Sequence, residues 1–432
     1  GEELVVQVGS GSERRRMTME VPYFRPDVSE NEIAEVVSAL RSGWLTTGPR
    51  VKRFEQEFAA AVGAPHAIAV NSCTAALHLA VEALGLKAGD AVLVPTMTFA
   101  ATAEIVRYLG AFPVLVDCDP VTLNLDLEDA ARKLRALRAG TLRAKAPSSA
   151  RAVGIIPVHV GGLMLDMARV QAFAEENSLW VVEDAAHSFP AAWRPSGASP
   201  WQRCGEGTSV ISCFSFYANK TITTGEGGMA TTADEKLSDR MRLMSLHGLS
   251  HDAWGRYSGG GKWDYRILAP GFKYNLTDLA AAIGIHQLAR AEEMRVAREE
   301  IADGYFDAFA DTDELELPAR DADRIHSWHL FPIRLRLDQL AIDRNAFIDG
   351  LKTAGVGCSV HWRPLHLHPY YEQTFGWKSD DLPVATRAWE RLVSLPIFPG
   401  MRGEEIGHVV ETVRNLCRTS RGTVQRAARA RS

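Results

Sequence analysis

Three short segments carry side chains capable of chemistry, and each follows an apolar run. The first is Asn71-Ser72-Cys73-Thr74-Ala75-Ala76, between a strand-like run and a helical pattern. A helix start presents unpaired N–H groups and partial positive charge, which suit a phosphate, and Thr74 adds a hydroxyl. The same residue types are also ordinary helix N-caps. The second is Glu183-Asp184-Ala185-Ala186-His187, directly after the apolar run Leu179–Val182. A carboxylate at a buried strand end needs a partner, because an unpaired charge there is costly. A structural cap or a metal ligand would meet the same need, but no Cys or His cluster accompanies His187. The third is Phe214-Ser215-Phe216-Tyr217-Ala218-Asn219-Lys220, followed by Gly225-Glu226-Gly227-Gly228. It sets a lysine just beyond an apolar strand, in a polar, glycine-rich turn. Burial lowers a lysine's pKa and makes it a nucleophile toward aldehydes. By itself, Lys220 reads rather as a surface lysine that happens to follow a strand.

Together the three segments fit one cofactor, pyridoxal 5'-phosphate (PLP). Lys220 would bond the aldehyde carbon, Asp184 would keep the pyridine nitrogen protonated, and the helix start would take the phosphate. Asp184 precedes Lys220 by 36 residues (220 − 184), which suits neighbouring strands at one sheet edge.

The surrounding pattern supplies such an edge. Apolar runs at Ala67–Val70, Ala91–Val94, Phe112–Val116, Val153–Val158 and Trp180–Val182 alternate with helical patterns at Thr74–Leu84, Phe99–Leu109, Leu127–Leu137 and Met167–Asn177. Continuous apolar strands between helices imply a mostly parallel sheet covered on both faces. Sites in such sheets lie beyond the carboxyl ends of the strands. Ahead of them, Ser29-Glu30-Asn31-Glu32 is a capping box that starts a helix ending at Gly43, and a second helix carries Val51, Phe54, Phe58 and Val62. Val210–Phe216 and Gly228–Thr232 read as further strands. A single long helical pattern begins at Thr277 and runs to about residue 310. Beyond it, strands at Trp328–Leu335 and Val356–His361 and helices at Arg344–Ala354 and Glu404–Cys417 read as a smaller α+β unit.

The expected fold class is therefore α/β: a three-layer, mostly parallel sheet domain plus a smaller C-terminal α+β domain. The expected divisions are a loose leader at 1–20, a large PLP-binding domain at 21–276, a connecting helix at 277–310, a small domain at 311–418 and a basic tail at 419–432.

Composition excludes several classes. The chain has 432 residues, 46% hydrophobic and 23% charged, and a net charge of −5, so no global basic field points to nucleic acid. No run approaches the ~18 apolar residues of a membrane helix. No apolar segment follows Arg14-Arg15-Arg16, so the start does not read as a secretory signal. The six cysteines form no C-x-x-C pair, which argues against a zinc ribbon or disulfide scaffold, and no metal is expected. These features read as a reduced, cytoplasmic protein.

In order along the chain stand Gly43-Trp44-Leu45-Thr46-Thr47-Gly48-Pro49, Asn71–Leu77, Pro95-Thr96-Met97-Thr98-Phe99, Pro157-Val158-His159, Glu183–His187, Ser215–Lys220, Gly225–Gly228, Gly271–Asp278 and His361-Trp362-Arg363-Pro364-Leu365-His366. With these nine segments in register, residues Val21 to Arg418 resemble the DegT–StrS-type sugar aminotransferases of the aspartate-aminotransferase (fold type I) superfamily. The resemblance implies that Lys220 carries PLP, Asp184 faces the pyridine nitrogen and Phe99 stacks on the ring. It implies that Thr74, the backbone of Cys73 and Ala75, and Ser215 cradle the phosphate. His187 stands beside the phenolic oxygen, where many relatives have Gln. Lys273-Tyr274-Asn275 matches a segment that reaches a neighbouring subunit's phosphate, with Lys273 and Asn275 both candidates for that contact.

The resemblance further implies a homodimer with shared sites. It implies amino transfer from an amino acid, most often glutamate, to a keto-deoxy sugar on a nucleoside diphosphate. The Glu-Asp-Ala-Ala-His string is similar to the branch acting on 4-keto sugars of UDP. Trp44, Thr46, His159, His247, Arg256, Tyr257, Trp328, His329, His361 and Trp362 are candidate substrate contacts. A keto-cyclitol transaminase is the alternative enzyme, and a non-catalytic protein of the same fold is the alternative from another class. Relatives that dehydrate sugars replace the lysine with His, which Lys220 argues against.

Overall fold

The computed structural model describes residues 19–249 and 266–422. The leader before residue 19, the candidates Arg256 and Tyr257, and the tail beyond residue 422 lie outside the described residues. Among the described residues no helix is long and apolar enough to cross a membrane.

A seven-stranded sheet runs in the spatial order His66–Val70, Gly228–Thr232, Ile211–Ser215, Trp180–Asp184, Arg151–Ile155, Asp90–Pro95, Phe112–Val116. Only Gly228–Thr232 runs antiparallel to its neighbours. The strands are buried almost end to end, as parallel strands covered on both faces must be. The ends bearing Asn71, Asp184 and Ser215 therefore meet at one edge, together with the start of the antiparallel strand at Gly228.

The helices explain themselves locally. In Glu30–Ser42 the Ser29 side chain accepts from the Asn31 amide, while Glu32 reaches back to the Ser29 amide at 2.9 Å. The helix ends at Gly43. Pro49–Val62 starts on its proline and buries Val51, Phe54, Phe58 and Val62 on one face. Burial of each phenylalanine stabilises the fold by about 1.5–3 kcal/mol.

Cys73–Ala83 is apolar nearly all round and buried from Ala75 to Val81, so packing rather than amphipathicity holds it. Gly228 lets it come close: a Cβ there would lie 2.4 Å from the Ser72 carbonyl carbon and 2.5 Å from the Cys73 nitrogen.

Several sequence expectations are corrected. The long helix over 277–310 is two helices, Asp278–Ala289 and Ala291–Phe309, broken at Arg290. Arg290 leaves helical geometry while its guanidinium binds Asp27 and Glu32. The second helix joins two cores, with Met294 in the large one and Ile301 to Phe309 in the small one. Val356–His361 does not form a strand. It makes one bridge to Val21 and one to Ser394, then turns inward.

The small sheet consists of Leu315–Glu316, Phe331–Leu335 and Leu392–Leu395, the first and last unforeseen. The helix Glu235–Ser245 also escaped the sequence reading. The two cores share chain in both directions. Val21 packs in the small core, whereas Leu365, Tyr371, Phe375, Trp377 and Leu382 pack in the large one.

Candidate active site

A cavity of about 560 Å³ opens at the carboxyl edge of the large sheet. It brings together Cys73, Thr74, Phe99, Asp184, His187, Ser215, Lys220, His329, His361 and Trp362. The strand Trp180–Asp184 delivers Asp184 to it, and the turn after Ile211–Ser215 delivers Lys220. Burial pushes the Lys220 amine down to about 8, against the opposing pull of Cys73 and Asp184. About a tenth is thus uncharged at pH 7, far more than for an ordinary lysine, and the uncharged form is the nucleophile.

Asp184 is buried and accepts from Thr102 Oγ1 at 2.7 Å and from the Ala186 amide at 3.2 Å. Burial pushes its carboxyl above the usual range, although these hydrogen bonds and the Lys220 charge pull the other way. A cationic partner at this place would hold it ionised. Sequence reasoning missed Thr102. The available signal was the Thr98–Thr102 pair, one helical turn apart in an apolar stretch, whose hydroxyls lie 2.7 Å apart.

The helix start at Cys73 forms the cavity floor. The Ala75 amide donates to Ser72 Oγ at 3.1 Å. The amides of Cys73 and Thr74 belong to the open first turn, which has no intrahelical acceptors. Phe99 stands at the cavity with 65% of its surface exposed, an unusual position for a phenylalanine unless something covers it.

Histidines crowd the opposite wall. His329 Nε2 lies 3.4 Å from Lys220 Nζ. The His187 ring is 4.2 Å from that of His329 and stacks on Trp362 at 5.0 Å. His361 Nδ1 is 2.9 Å from Ser394 Oγ. Burial, with the Lys220 charge as a lesser cause, pushes His187 well below the ordinary histidine value and His361 to about 3. Burial, followed by the neighbouring charges, also pushes His329 well below it. Burial thus disfavours the charged form of all three rings.

Other sequence candidates stand elsewhere. His159 is fully buried beneath the site and bonds Glu183 at 2.8 Å, so it is no substrate contact. His159, Glu183 and Cys204 have the ligand types of a metal triad. However, the Leu165 amide occupies His159 Nδ1, and His159, Thr208 and Ser212 all donate to Glu183. His247 is exposed and does not line the cavity. Trp328 is buried in the small core.

Trp44 and Asn275 line a separate cavity of about 680 Å³ beside Pro49–Val62. Thr46 is exposed, and its carbonyl takes the Asp278 amide. Lys273 Nζ donates to Asn275 Oδ1, and Asn275 Nδ2 donates to Thr47 Oγ1 at 2.7 Å. The Lys273–Asn275 segment runs beside Asn71, whose amide donates to the Tyr274 carbonyl.

The arrangement provides a buried nucleophilic amine, an acid awaiting a cation, and an open helix start for an anion. Comparison with known proteins agrees with that chemistry. Residues 26–414 match the DegT/DnrJ/EryC1/StrS aminotransferase family. The chain is 42% identical over 397 residues to the spore coat polysaccharide biosynthesis protein SpsC of Bacillus subtilis (strain 168), covering 92% of this chain and 97% of that one. Among solved structures it is similar to the putative sugar aminotransferase Spr1654 from Streptococcus pneumoniae in its PLP form. The TM-score is 0.82 at 30% identity, covering 93% of this chain and 99% of that one. It is similar too to the aminotransferase TlmJ from Streptoalloteichus hindustanus, with a TM-score of 0.81 at 30% identity, covering 93% and 100%. The fold is the type I architecture, and the chain belongs to the DegT/DnrJ/EryC1/StrS aminotransferase family.

Proposed function

We propose that this protein is a PLP-dependent aminotransferase that moves an amino group from an amino acid, glutamate by preference, to a keto-deoxy sugar carried on a nucleoside diphosphate. The observation that carries the reading is the buried Lys220 amine, held to about 8, in one cavity with buried Asp184. The donor set fits PLP. An amine is available for the aldehyde, a carboxylate for the ring nitrogen and an open helix turn for the phosphate, with no Cβ at Gly228 to block the turn.

When bound, PLP serves as an electron sink for the carbanion formed at an amino acid's α-carbon. Lys220 would anchor the cofactor through its amine, and its free Nζ would hold the α-proton as general base. Asp184 would hold a proton at the ring nitrogen, with Thr102 fixing the carboxylate. Cys73, Thr74 and Ser215 would hold the phosphate, Phe99 would cover the ring face, and His187 would donate to the phenolic oxygen. His329 and His361 line the route for the sugar.

The protein works as a cytoplasmic homodimer. Lys273 and Asn275, which lie beside the helix start yet outside its cavity, reach the cofactor phosphate of the partner subunit. The exposed Phe99 and the second cavity at Trp44 support a face that another copy covers.

Two measurements test the reading. Borohydride reduction of the PLP-loaded protein followed by peptide mapping tags Lys220; a tag on another lysine, or none, discards it. The pyridoxamine-loaded protein, mixed with UDP- and dTDP-linked keto sugars, regains the PLP absorbance with at least one of them. Recovery only with a free keto-cyclitol would replace the sugar nucleotide as substrate.

A further inference from the structure

His187 raises a problem that Gln at the same place would not. A glutamine amide always carries donor hydrogens, whereas a neutral imidazole donates from only one of its two nitrogens. Burial pushes His187 well below the ordinary histidine value, and in the neutral ring the tautomer decides whether the cavity receives a donor or a lone pair.

The backbone resolves this. The Gly161 amide donates to His187 Nδ1 at 3.3 Å. An N–H donor requires a lone pair on Nδ1, which leaves the proton on Nε2.

The turn that supplies this amide is held at several points. The Val160 amide donates to Asn124 Oδ1 at 2.8 Å, and Asn124 Nδ2 donates to the Leu163 carbonyl at 2.9 Å. The Leu165 amide donates to His159 Nδ1 at 3.2 Å. Gly161 and Gly162 both have positive φ, 67° and 105°. A Cβ on Gly162 would lie 1.9 Å from Ser327 Oγ and 2.9 Å from the His187 carbonyl oxygen. Ser327 Oγ in turn donates to that carbonyl at 2.5 Å, and the Leu330 amide donates to the Gly161 carbonyl at 3.2 Å. The turn thus holds the His187 ring and the segment that carries His329, and Ser327 of that segment holds the His187 backbone.

We propose that the Gly161–Gly162 turn is a positioning device that locks His187 as the Nε2–H tautomer, so that the cavity is offered one fixed hydrogen-bond donor for a phenolate oxygen. This rests on the cofactor reading above for the identity of the acceptor, but the lock itself is made by the protein alone. Neither Gly161 nor Gly162 lines the cavity; the turn acts through His187.

The test is 15N NMR of protein labelled at histidine, recorded at neutral pH without cofactor and loaded with PLP. The His187 signals are identified by their loss in His187→Gln. Nδ1 is expected in the unprotonated range and Nε2 in the protonated range in both samples. A protonated Nδ1, or a mixture of tautomers without cofactor, overturns the lock. A protein that shows the expected tautomer but takes up no PLP would refute the cofactor reading and leave the lock standing.

A double-mutant cycle separates positioning from mere scaffolding. Gly162→Ala is expected to mix the tautomers and lower kcat by about tenfold in the His187 protein, but by less than about twofold in a His187→Gln background. Equal losses in both backgrounds overturn the proposal. If Gly162→Ala does not fold, the wild-type NMR result decides.

Discussion

The strand Trp180–Asp184 ends in two adjacent carboxylates that face opposite sides of the sheet edge, and the two sides are built to different rules. On the inner side Glu183 accepts from His159 at 2.8 Å, from Ser212 at 3.1 Å and from Thr208. Burial pushes its carboxyl up, but the His159 hydrogen bond and charge and the hydroxyl donors outweigh this and hold it below the usual range. On the cavity side Asp184 has one hydroxyl and one amide, and burial wins: its carboxyl is pushed up. Both carboxylates are out of water, but only one is fully provided for. A satisfied buried acid stabilises structure, whereas an acid left short of partners is poised for a charge that arrives later.

The largest expected effect tests the cavity side. Lys220→Ala should lower kcat by about 10^4-fold, measured with a keto-sugar acceptor, while the melting transition stays cooperative. Retained turnover would remove Lys220 from the chemistry.

Next, Asp184→Asn should cost at least about 100-fold in kcat yet shift stability by no more than about 1 kcal/mol in urea titration. The asparagine still accepts from Thr102 and removes a charge that burial disfavours. Wild-type activity in this variant would end the electron-sink argument.

Glu183→Gln inverts the pattern. It should lose about 3 kcal/mol of stability while the kcat of the folded fraction changes only a few-fold. A large loss of kcat at unchanged stability would mean that the two sides do not divide the labour as described.

The smallest effect concerns pH. The free base of Lys220 is the reactive form, and its pKa is lowered to about 8. Capture of PLP by the cofactor-free protein should therefore quicken by roughly tenfold per pH unit below that value and level off above it. Levelling only near the ordinary lysine value would mean that the amine is hydrated.

Much of this was legible before any coordinates. Apolar runs alternating with helical patterns specify a covered parallel sheet, because each run is local and its burial follows from composition. Asp184 and Lys220 stood out because they break apolar runs at strand ends. What escaped were relations between distant parts of the chain. Thr102 binds a carboxylate 82 residues away, and His329 approaches an amine 109 residues away. His159 had the residue type of a ligand contact but faces inward to Glu183. Arg290 sits within one helical pattern yet breaks it, because Asp27 and Glu32 hold its side chain.

The sequence by itself determined which elements form, which ends they present and which residue types stand there, since periodicity and capping act over a few neighbouring residues. Only the tertiary structure decided which buried acid is satisfied and which is left waiting, which way His187 carries its proton, and that two helices replace one. Those outcomes depend on where remote donors and acceptors come to rest when the two cores pack, and no local pattern encodes that geometry.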